Sequence, residues 1–509
     1  MKNLTLLIII GLIFSIALQS IAFTSEYIIN DDVRASLFII PKFQDKELFQ
    51  KDLLADHALA GIGTTKPIQY FYALINYIID FKLATKILPI ILFIISLIFF
   101  YLISKQFLKE DIAFISTIIF IFFSWTLQLF SGGLSRAFFL PLTAIFLYFF
   151  LKNNNKASLI TIIISSFFYP PLTLILLTTY ALTFLNKNLK SELKSKNFIY
   201  FLLAIILCFL IITYISVPKN KGFSTFFNLK EALSMSEFNE NGKIPVLKGY
   251  LTLINQYNTG IKTSLTKNPI ALLILLSLIS IFIKTKTKLP SKIKLFALSG
   301  LILYFLSFTL LFKIYISIRY LIPVYLFLIF YISNKLQIFN FASLNKKLIF
   351  TLIFFILFLP HLRRDLTICE NPEIYKYIET LPKTTLIAGF PKDLDCIPLY
   401  SKRSVLINDE LNIPFGKEYY NKIKQRLTDL FTIYYSDNEK DLNDFCSKHK
   451  VTHILVNKDR FKSDFLEKPL VYYEPFNKII KLNKNNDFIL PELESKAIFK
   501  SNNQFIIEC

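Results

Sequence analysis

Long uncharged hydrophobic stretches fill the first 360 positions of this chain, and shorter mixed segments follow them. A helix needs about 20 apolar residues to cross a hydrocarbon core about 30 Å thick. Residues 4–23 form the first such stretch and carry no charge. The same pattern predicts further spans at 87–104, 112–130, 134–151, 198–217, 269–283, 295–312, 320–332 and 348–360.

Residues 157–185 form an apolar stretch that is too short for two full spans. Tyr169-Pro170-Pro171 lies near its middle. Proline lacks a backbone donor and disfavours helix at the residue before it, so we expect two short helices separated at Tyr169. Such a break is stable in a membrane only where protein or a water-filled cavity surrounds it. The chain is therefore predicted to be a polytopic α-helical membrane protein with about 9 to 11 transmembrane helices.

The positive charge of the chain follows this topology. The formal net charge is +21, and five short segments between spans hold 16 lysines against three acidic residues. Such loops are typical of the cytoplasmic side of a membrane protein, so the charge does not indicate a nucleic-acid partner. The five segments are 105–111, 152–156, 186–197, 284–294 and 333–347.

Alternation from these basic segments fixes the predicted orientation. We expect a plasma (inner) membrane protein with a cytoplasmic N-terminus and external loops at 24–67 and 218–268. A cleavable signal peptide is the alternative interpretation of the first span, because Ser20-Ile21-Ala22 resembles a cleavage site.

The composition from residue 361 onward is that of a globular domain with mixed charge. Short β-type runs alternate there with helical patterns at 417–435 and 438–449, which is typical of an α/β domain. We therefore divide the chain into a multi-span domain at 1–360 and an extracytoplasmic α/β domain at 361–509.

Cysteine use agrees with an external position for the second domain. Four of the five cysteines fall within it, and their spacing is not that of a zinc site. Four cysteines allow three pairings, and among these we predict a disulfide between Cys369 and Cys396 in an oxidising compartment.

The acidic pair Asp31-Asp32 follows the first span by a few residues, and two interpretations apply to it. Asn30 and Asp31 are good N-cap residues, and carboxylates favour a helix N-terminus, so the pair could begin a helix. Alternatively, one carboxylate acts as a general base toward an acceptor hydroxyl that attacks an activated sugar carbon. Partial burial beside lipid would raise the proton affinity of such a base.

The second interpretation agrees with a family resemblance. Many spans, an acidic pair in the first external loop and a C-terminal domain on the same face resemble the GT-C superfamily of membrane glycosyltransferases, which includes the protein mannosyltransferases and the lipid A aminoarabinose transferase. The resemblance covers most of the chain as architecture. Its motifs are Asn30-Asp31-Asp32 with Arg34, Gly133-Leu134-Ser135-Arg136, Tyr169-Pro170-Pro171 and Arg319-Tyr320-Leu321-Ile322-Pro323.

This resemblance implies an inverting glycosyltransferase of the hexosyltransferase class. Its donor would be a polyprenyl-phosphate-linked sugar, and its acceptor an envelope lipid, glycan or protein. Asp31 or Asp32 would be the catalytic acidic residue, and the other would orient the acceptor or a divalent metal. Members of the superfamily differ in metal use, so the resemblance does not decide whether a divalent metal is a cofactor. If one is bound, Asp31 and Asp32 are its expected ligands.

Arginine is scarce in this lysine-rich chain, and Arg34, Arg136 and Arg319 all map to the predicted outer face. Guanidinium groups match phosphate oxygens, so we expect these residues to bind the donor phosphate. Arg319 best resembles the phosphate-binding arginine of the superfamily. The alternative is that each side chain extends to phospholipid headgroups.

Three residues are candidates for binding the acceptor or for a second acidic site: Asp56, His57 and Tyr169. Asp56 is explained equally well as a solvated loop residue or a helix cap. For His57 the favoured explanation is an ordinary surface or hydrogen-bonding histidine.

Two other function classes fit a polytopic chain, a lipid-linked glycan flippase or transporter and a non-catalytic envelope assembly protein. Coupled transporters commonly keep ionisable residues near the bilayer midplane, whereas the predicted spans are almost free of them. No inverted repeat is evident in the sequence. We therefore expect an enzyme whose partners are the lipid bilayer, a polyprenyl-phosphate sugar and an envelope acceptor.

Overall fold

The computed structural model describes most of the chain. Much of the predicted basic segment at 186–197 and of the predicted external loop at 218–268 lies outside the described residues. The described residues are 2–61, 63–126, 129–185, 195–216, 226–245, 269–281, 288–309, 317–339, 341, 343–358, 366–484 and 487–509.

Helices predominate among the described residues. The elements up to residue 358 are α1 (Lys2–Phe23), β1 (Ile28–Asn30), α2 (Asp31–Leu37), α3 (Leu53–Leu59), α4 (Lys66–Ile75), α5 (Phe81–Ser104), α6 (Glu110–Thr126), α7 (Phe139–Leu151), α8 (Asn155–Phe168), α9 (Pro170–Leu185), α10 (Lys196–Leu210), α11 (Leu229–Ser234), α12 (Pro269–Ile281), α13 (Ser291–Thr309), α14 (Ile322–Lys335) and α15 (Leu344–Phe358). The later elements are β2 (Leu366–Ile368), α16 (Pro372–Thr380), β3 (Leu386–Gly389), α17 (Pro391–Leu394), α18 (Ile397–Ser401), β4 (Ser404–Val405), α19 (Lys417–Tyr434), α20 (Glu439–His449), β5 (His453–Asn457), α21 (Ser463–Leu466), α22 (Phe476–Asn483), α23 (Ile489–Glu492), β6 (Phe499–Ser501) and β7 (Gln504–Glu508).

The chain divides into two compact units, and the first contains the long apolar helices. It comprises Met1–Glu26, Lys82–Pro218 and Asn255–Leu366. In the described residues, four helices are long and apolar enough to cross a membrane, fewer than the predicted 9 to 11. Other apolar helices are shorter, and α12, α13 and α15 end next to residues outside the description. The four are Lys2–Phe23, Phe81–Ser104, Lys196–Ile215 and Arg319–Ile338.

Helix α6 lies at the centre of the first unit. Residues 112–123 are almost all buried, as expected for a helix that is apolar on every side. Stacked rings connect α6 with its neighbours. The ring centroid of Phe100 lies 4.2 Å from that of Phe120 in α6 and 4.7 Å from that of Phe330. By contrast, α10 exposes large apolar side chains such as Phe209, which is 63% exposed and suits contact with lipid.

Two irregular points interrupt the helices of the first unit. Gly132 and Gly133 have positive φ angles of 79° and 62° in the turn before α7, a conformation that glycine adopts without steric cost. Tyr169 separates α8 from α9. Ser165 and Thr173, on either side of this break, are joined by a hydroxyl–hydroxyl hydrogen bond of 2.8 Å. The break is therefore a fixed feature of this helix pair.

The second unit is built from three separate parts of the chain, Tyr27–Phe81, Lys219–Ile254 and Thr367–Cys509. Its five-stranded sheet has the order β4-β3-β5-β7-β6. Strands β4, β3 and β5 are parallel, and β7 is antiparallel to both β5 and β6. Every residue of β5 is buried, as is typical of a central strand covered on both faces.

Helix α19 covers this sheet with one apolar face. Its buried residues include Ile423, Leu427 and Phe431, at helical spacing. Phe431 belongs to an aromatic cluster around Phe390, with ring centroids 5.8 Å apart. The same helix holds a described part of the chain's second long loop, because the fully buried Glu237 accepts hydrogen bonds from Tyr420 (3.1 Å) and Lys424 (2.8 Å).

Two disulfides lie in the second unit. Cys369 is bonded to Cys396, the pair that the sequence analysis predicts. Cys446 is bonded to Cys509, which the sequence analysis leaves unassigned.

Candidate functional site

The acidic pair occupies the first turn of α2, directly after the buried strand β1. Asn30 is the N-cap residue, and its side chain accepts a hydrogen bond of 3.2 Å from the backbone N–H of Val33. Asp31 and Asp32 therefore stand where the helix dipole favours negative charge, while Asn30 supplies the cap. Helix initiation alone accounts for the position of the pair but not for the contacts of Asp31.

Arg34 lies one helical turn after Asp31, and three carboxylates surround its guanidinium group. Its side chain is 7% exposed and forms an ion pair with Asp31. Nη1 lies 3.4 Å from Oδ2 of Asp395, and Nη2 lies 3.6 Å from Oε1 of Glu410. Thr367 also donates a hydrogen bond of 3.1 Å to Oδ1 of Asp31. We call Asp31, Arg34, Asp395 and Glu410 the Arg34 cluster.

Backbone hydrogen bonds fix the C-terminal members of the Arg34 cluster. Oδ1 of Asp395 accepts hydrogen bonds from the backbone N–H groups of Asp409 (2.7 Å) and Glu410 (3.2 Å). Asp409 in turn forms an ion pair of 3.0 Å with Lys243. The loop that carries Asp409 and Glu410 is therefore folded around the Asp395 side chain.

The Cys369–Cys396 disulfide adjoins the same cluster. Cys396 follows Asp395 in sequence, and its sulfur lies 3.7 Å from Nη1 of Arg34. The backbone N–H of Cys369 donates to the carbonyl of Tyr27, a few residues before α2. The disulfide thus links the segment that holds Asp395 to the segment that leads into the acidic pair.

Burial and mutual repulsion change the acidity of the Arg34 cluster. Burial raises the pKa of Asp395 to about 7 although the charge of Arg34 opposes this shift. Burial, with repulsion from Asp31 and Asp395, raises the pKa of Glu410 to about 8. Burial disfavours the charged form of Arg34, but the three carboxylates outweigh that effect and raise its pKa. Near neutral pH the cluster therefore retains protons that exposed carboxylates would have lost.

Among the described residues, one group of three carboxylates has the spacing of metal ligands. Its members are Asp395, Asp409 and Glu410. One oxygen from each lies within 4.8 Å of the others. Carboxylate oxygens suit a hard divalent cation such as Mg²⁺, so the donor set fits a metal by ligand type and spacing. A metal would compete there with Arg34 and Lys243. Asp31 and Asp32, the ligands expected from the sequence, are not members of this group.

The structure gives Arg34 a different environment from the one its predicted phosphate-binding role requires. A phosphate-binding arginine needs guanidinium N–H groups directed at the ligand. The charge of Arg34 is instead surrounded by carboxylates, which would repel a phosphate. Its contacts indicate a structural role in holding Asp31.

Arg319 and Tyr169 meet within the first unit. Nη1 of Arg319 donates a hydrogen bond of 2.7 Å to the hydroxyl of Tyr169, and the guanidinium lies 5.9 Å from the ring centroid. Both residues lie where helices are interrupted, Tyr169 between α8 and α9 and Arg319 in the 3-10 turn before α14. Within a membrane, such interruptions are stable only where protein or a water-filled cavity surrounds them.

The turn that contains Arg136 packs beside the same break. Phe138 stacks on Phe168 with ring centroids 4.4 Å apart, and Phe139 contacts the ring of Tyr169 at 5.9 Å. Arg136 itself is partly buried. Tyr169 therefore contacts both Arg319 and the segment that directly follows the motif at 133–136.

Asp56 and His57 are neighbours in α3 with different surroundings. Asp56 is exposed and lines a cleft in the second unit. His57 is 3% exposed and stacks on the ring of Tyr419, with centroids 3.6 Å apart. Burial lowers the pKa of His57 to about 3, so this histidine is neutral at physiological pH and belongs to the core.

Sequence reasoning missed Asp395, Asp409 and Lys243 as parts of the site. Each lies far along the chain from Asp31 and follows no periodic pattern or motif. One signal was available: Asp395 immediately precedes Cys396, which belongs to the predicted disulfide.

The sequence matches no protein-family model and none of the curated proteins. Two crystal structures of the Archaeoglobus fulgidus oligosaccharyltransferase are similar to it in fold. The complex with Zn and sulfate gives a TM-score of 0.50 at 12% identity, covering 93% of this chain and 70% of that chain. The form tethered by a disulfide to an acceptor peptide containing the NVT sequon gives a TM-score of 0.51 at 11% identity. The match covers 94% of this chain and 72% of that chain.

The chain is similar in fold to these two structures. The archaeal oligosaccharyltransferase has a GT-C fold, so the fold expected from the sequence resemblance is supported. The likeness does not distinguish the mannosyltransferase and aminoarabinose transferase branches. At 11–12% identity the likeness concerns the fold alone.

We expect Arg34→Gln to destabilise the second unit strongly. Removing one partner of a buried ion pair typically costs about 3–5 kcal/mol, because the remaining charges stay buried without compensation. The free energy of unfolding of the purified protein in detergent, measured by denaturant titration, tests this. Lys383→Gln removes an exposed cation that pairs with Asp45 and Glu47, and as a control it should leave the transition unchanged. Equal behaviour of the two variants would contradict the importance of the Arg34 cluster.

The raised pKa values of Asp395 and Glu410 predict a pH dependence of stability. Unfolded carboxyls have pKa values near 4, so between about pH 4 and pH 8 the folded cluster binds more protons than the unfolded chain. This contribution to the free energy of unfolding is full at acidic pH and is lost as pH rises through about 7 to 8. Asp395→Asn imitates a protonated carboxyl, so its melting temperature should vary less with pH than that of the wild type. Parallel pH profiles would exclude the raised pKa of Asp395.

Proposed function

We propose that this protein is a membrane glycosyltransferase that moves a sugar from a polyprenyl-phosphate-linked donor to an envelope lipid, glycan or protein on the outer face of the membrane. The observation that carries the proposal is the Arg34 cluster, which holds Asp31 next to Asp32 at the start of α2. The GT-C fold supports it, and the acceptor peptide bound to the similar oligosaccharyltransferase makes a protein acceptor one of the candidates.

The proposed reaction is a single displacement with inversion at the anomeric carbon. A hydroxyl or another nucleophilic group of the acceptor attacks that carbon from the face opposite the phosphate. The new bond to carbon forms as the bond to the lipid phosphate breaks, and the electron pair of that bond leaves with the phosphate. A carboxylate takes the proton of the acceptor as the bond forms.

The contacts of Asp31 favour a division of roles within the acidic pair. Asp31 accepts hydrogen bonds from Arg34 and Thr367, so its carboxylate is already engaged within the protein. We therefore assign Asp31 the role of positioning residue. Asp32, the next residue of the same helical turn, is assigned the role of general base.

Arg319 is assigned to the phosphate of the donor. Its hydrogen bond to Tyr169 orients the guanidinium, and a guanidinium presents paired N–H groups to phosphate oxygens. Arg136 is the second candidate, because its turn packs beside Tyr169. A divalent cation held by Asp395, Asp409 and Glu410 would add positive charge that polarises a bound oxygen. The roles assigned to Asp31, Asp32 and Arg319 do not depend on it.

We expect Asp32→Asn to lower kcat by about 10²–10⁴, because the variant loses its general base. Asp31→Asn should lower activity and also the melting temperature, because it breaks the ion pair with Arg34. Transfer from a polyprenyl-phosphate hexose is measured with lipid, glycan and peptide acceptors supplied in turn. Asp437→Asn changes an exposed carboxylate and should retain full activity. Full activity of the double variant at both aspartates would refute the catalytic assignment.

Arg319→Lys keeps the charge and loses the planar pair of donors. We expect KM for the donor to rise about 10-fold or more, in line with a lost charge-assisted hydrogen bond of about 1.5–3 kcal/mol. KM for the acceptor should not change, and Tyr169→Phe should have a smaller effect in the same direction. An unchanged donor KM would remove Arg319 from the donor site. Movement of the lipid-linked sugar across vesicles without any transfer would indicate a flippase instead.

A further inference from the structure

A second feature of the second unit has the dimensions of a ligand site. A cleft of about 710 Å³ is lined by residues of the segment at 51–56, of α19 and of α20. Small-molecule sites commonly have volumes of about 300–1,000 Å³. The cleft is lined by residues other than the members of the Arg34 cluster.

Polar side chains of α19 form one wall of this cleft. Asn421, Lys422, Gln425 and Arg426 stand at helical spacing on the side of α19 opposite Ile423 and Leu427. A polar face of this kind is usual on a surface helix. The distinguishing features here are the concave shape of the surface and the fixed positions of several of its side chains.

Asp429 fixes two of these side chains. Its Oδ1 accepts a hydrogen bond of 2.9 Å from Nε2 of Gln425, and its Oδ2 lies 2.8 Å from Nε2 of His449. Lys448 forms an ion pair of 2.8 Å with the same carboxylate. Side chains held by packing and hydrogen bonds lose little entropy when a ligand binds.

Arg426 is the most buried cation of the cleft. Nη1 of Arg426 donates a hydrogen bond of 2.9 Å to the carbonyl of Leu406. Burial lowers the pKa of Arg426, and the charge of the buried Asp52 opposes this effect. An arginine remains protonated in proteins, so the cleft keeps a fixed positive charge beneath the more mobile side chains of Lys51 and Lys422.

The composition of the lining defines the ligand class. Three cations, Lys51, Lys422 and Arg426, face one carboxylate, Asp56. Amide side chains such as Asn421 both donate and accept hydrogen bonds, which suits sugar hydroxyls. Among the described residues that line the cleft, Leu53 is the one apolar side chain.

We propose that this cleft binds an anionic oligosaccharide, with the sugar hydroxyls on the amide side chains and the acidic groups on Lys51, Lys422 and Arg426. If the protein transfers sugars as proposed above, this oligosaccharide is the acceptor or the product, and that step rests on the proposed function. Binding itself does not, because the cleft is defined without reference to the Arg34 cluster.

The test measures binding to the purified full-length protein in detergent without any donor. Tetragalacturonate, a carboxylated tetrasaccharide, is the probe, and maltotetraose and inorganic phosphate are the comparison ligands. The double variant Lys51→Glu/Lys422→Glu should bind tetragalacturonate at least 10-fold more weakly than the wild type. Lys376→Glu/Lys440→Glu reverses two exposed lysines that do not line the cleft, and it should bind as the wild type does.

Maltotetraose should bind more weakly than tetragalacturonate, and phosphate should compete only at high concentration. Unchanged binding in the Lys51/Lys422 variant, or equal losses in both double variants, would overturn the proposal. Phosphate binding as strong as tetragalacturonate binding would overturn the oligosaccharide assignment. Binding is measured without transfer, so an inactive protein that still binds tetragalacturonate would contradict the proposed function and leave this site intact.

Discussion

One buried guanidinium group determines how the acidic pair is presented. A buried charge is stable only when it is compensated, and Arg34 is compensated by Asp31 on its own helix and by Asp395 and Glu410 from the C-terminal part of the chain. Asp395 also accepts hydrogen bonds from the backbone N–H groups of Asp409 and Glu410, and these bonds set the path of the loop at 409–410. The position of Asp31 is therefore a property of the whole second unit rather than of the helix that contains it.

The second unit also separates its charges. The Arg34 cluster has more carboxylates than basic groups, and burial keeps part of them protonated. The cleft on α19 has the opposite balance, with Lys422 and Arg426 among its lining residues. An anionic ligand would be repelled by unprotonated carboxylates and attracted by the cleft, so the two places favour ligands of different charge.

Local patterns predicted local structure well. The proline pair after Tyr169 predicted the division between α8 and α9, and apolar spacing predicted α19. The Asn30-Asp31-Asp32 motif indicated the start of α2 as a candidate site. The partners of Arg34 could not be predicted in the same way, because ion pairs between distant segments depend on tertiary packing and have no sequence period. For the same reason, the sequence could not predict that His57, a candidate for binding the acceptor, stacks on Tyr419 in the core.

The assembly of the second unit from three separate chain segments has a consequence for biosynthesis. Cys396 lies 362 residues after Arg34, so at about 5–20 residues per second the ribosome needs roughly 20–70 s to make the partners of Arg34 after it has made Arg34. During that interval Asp31 is the one carboxylate of the Arg34 cluster that has been synthesised. The acidic site is thus completed among the last events of synthesis, and a chain that stops before Asp395 cannot present it.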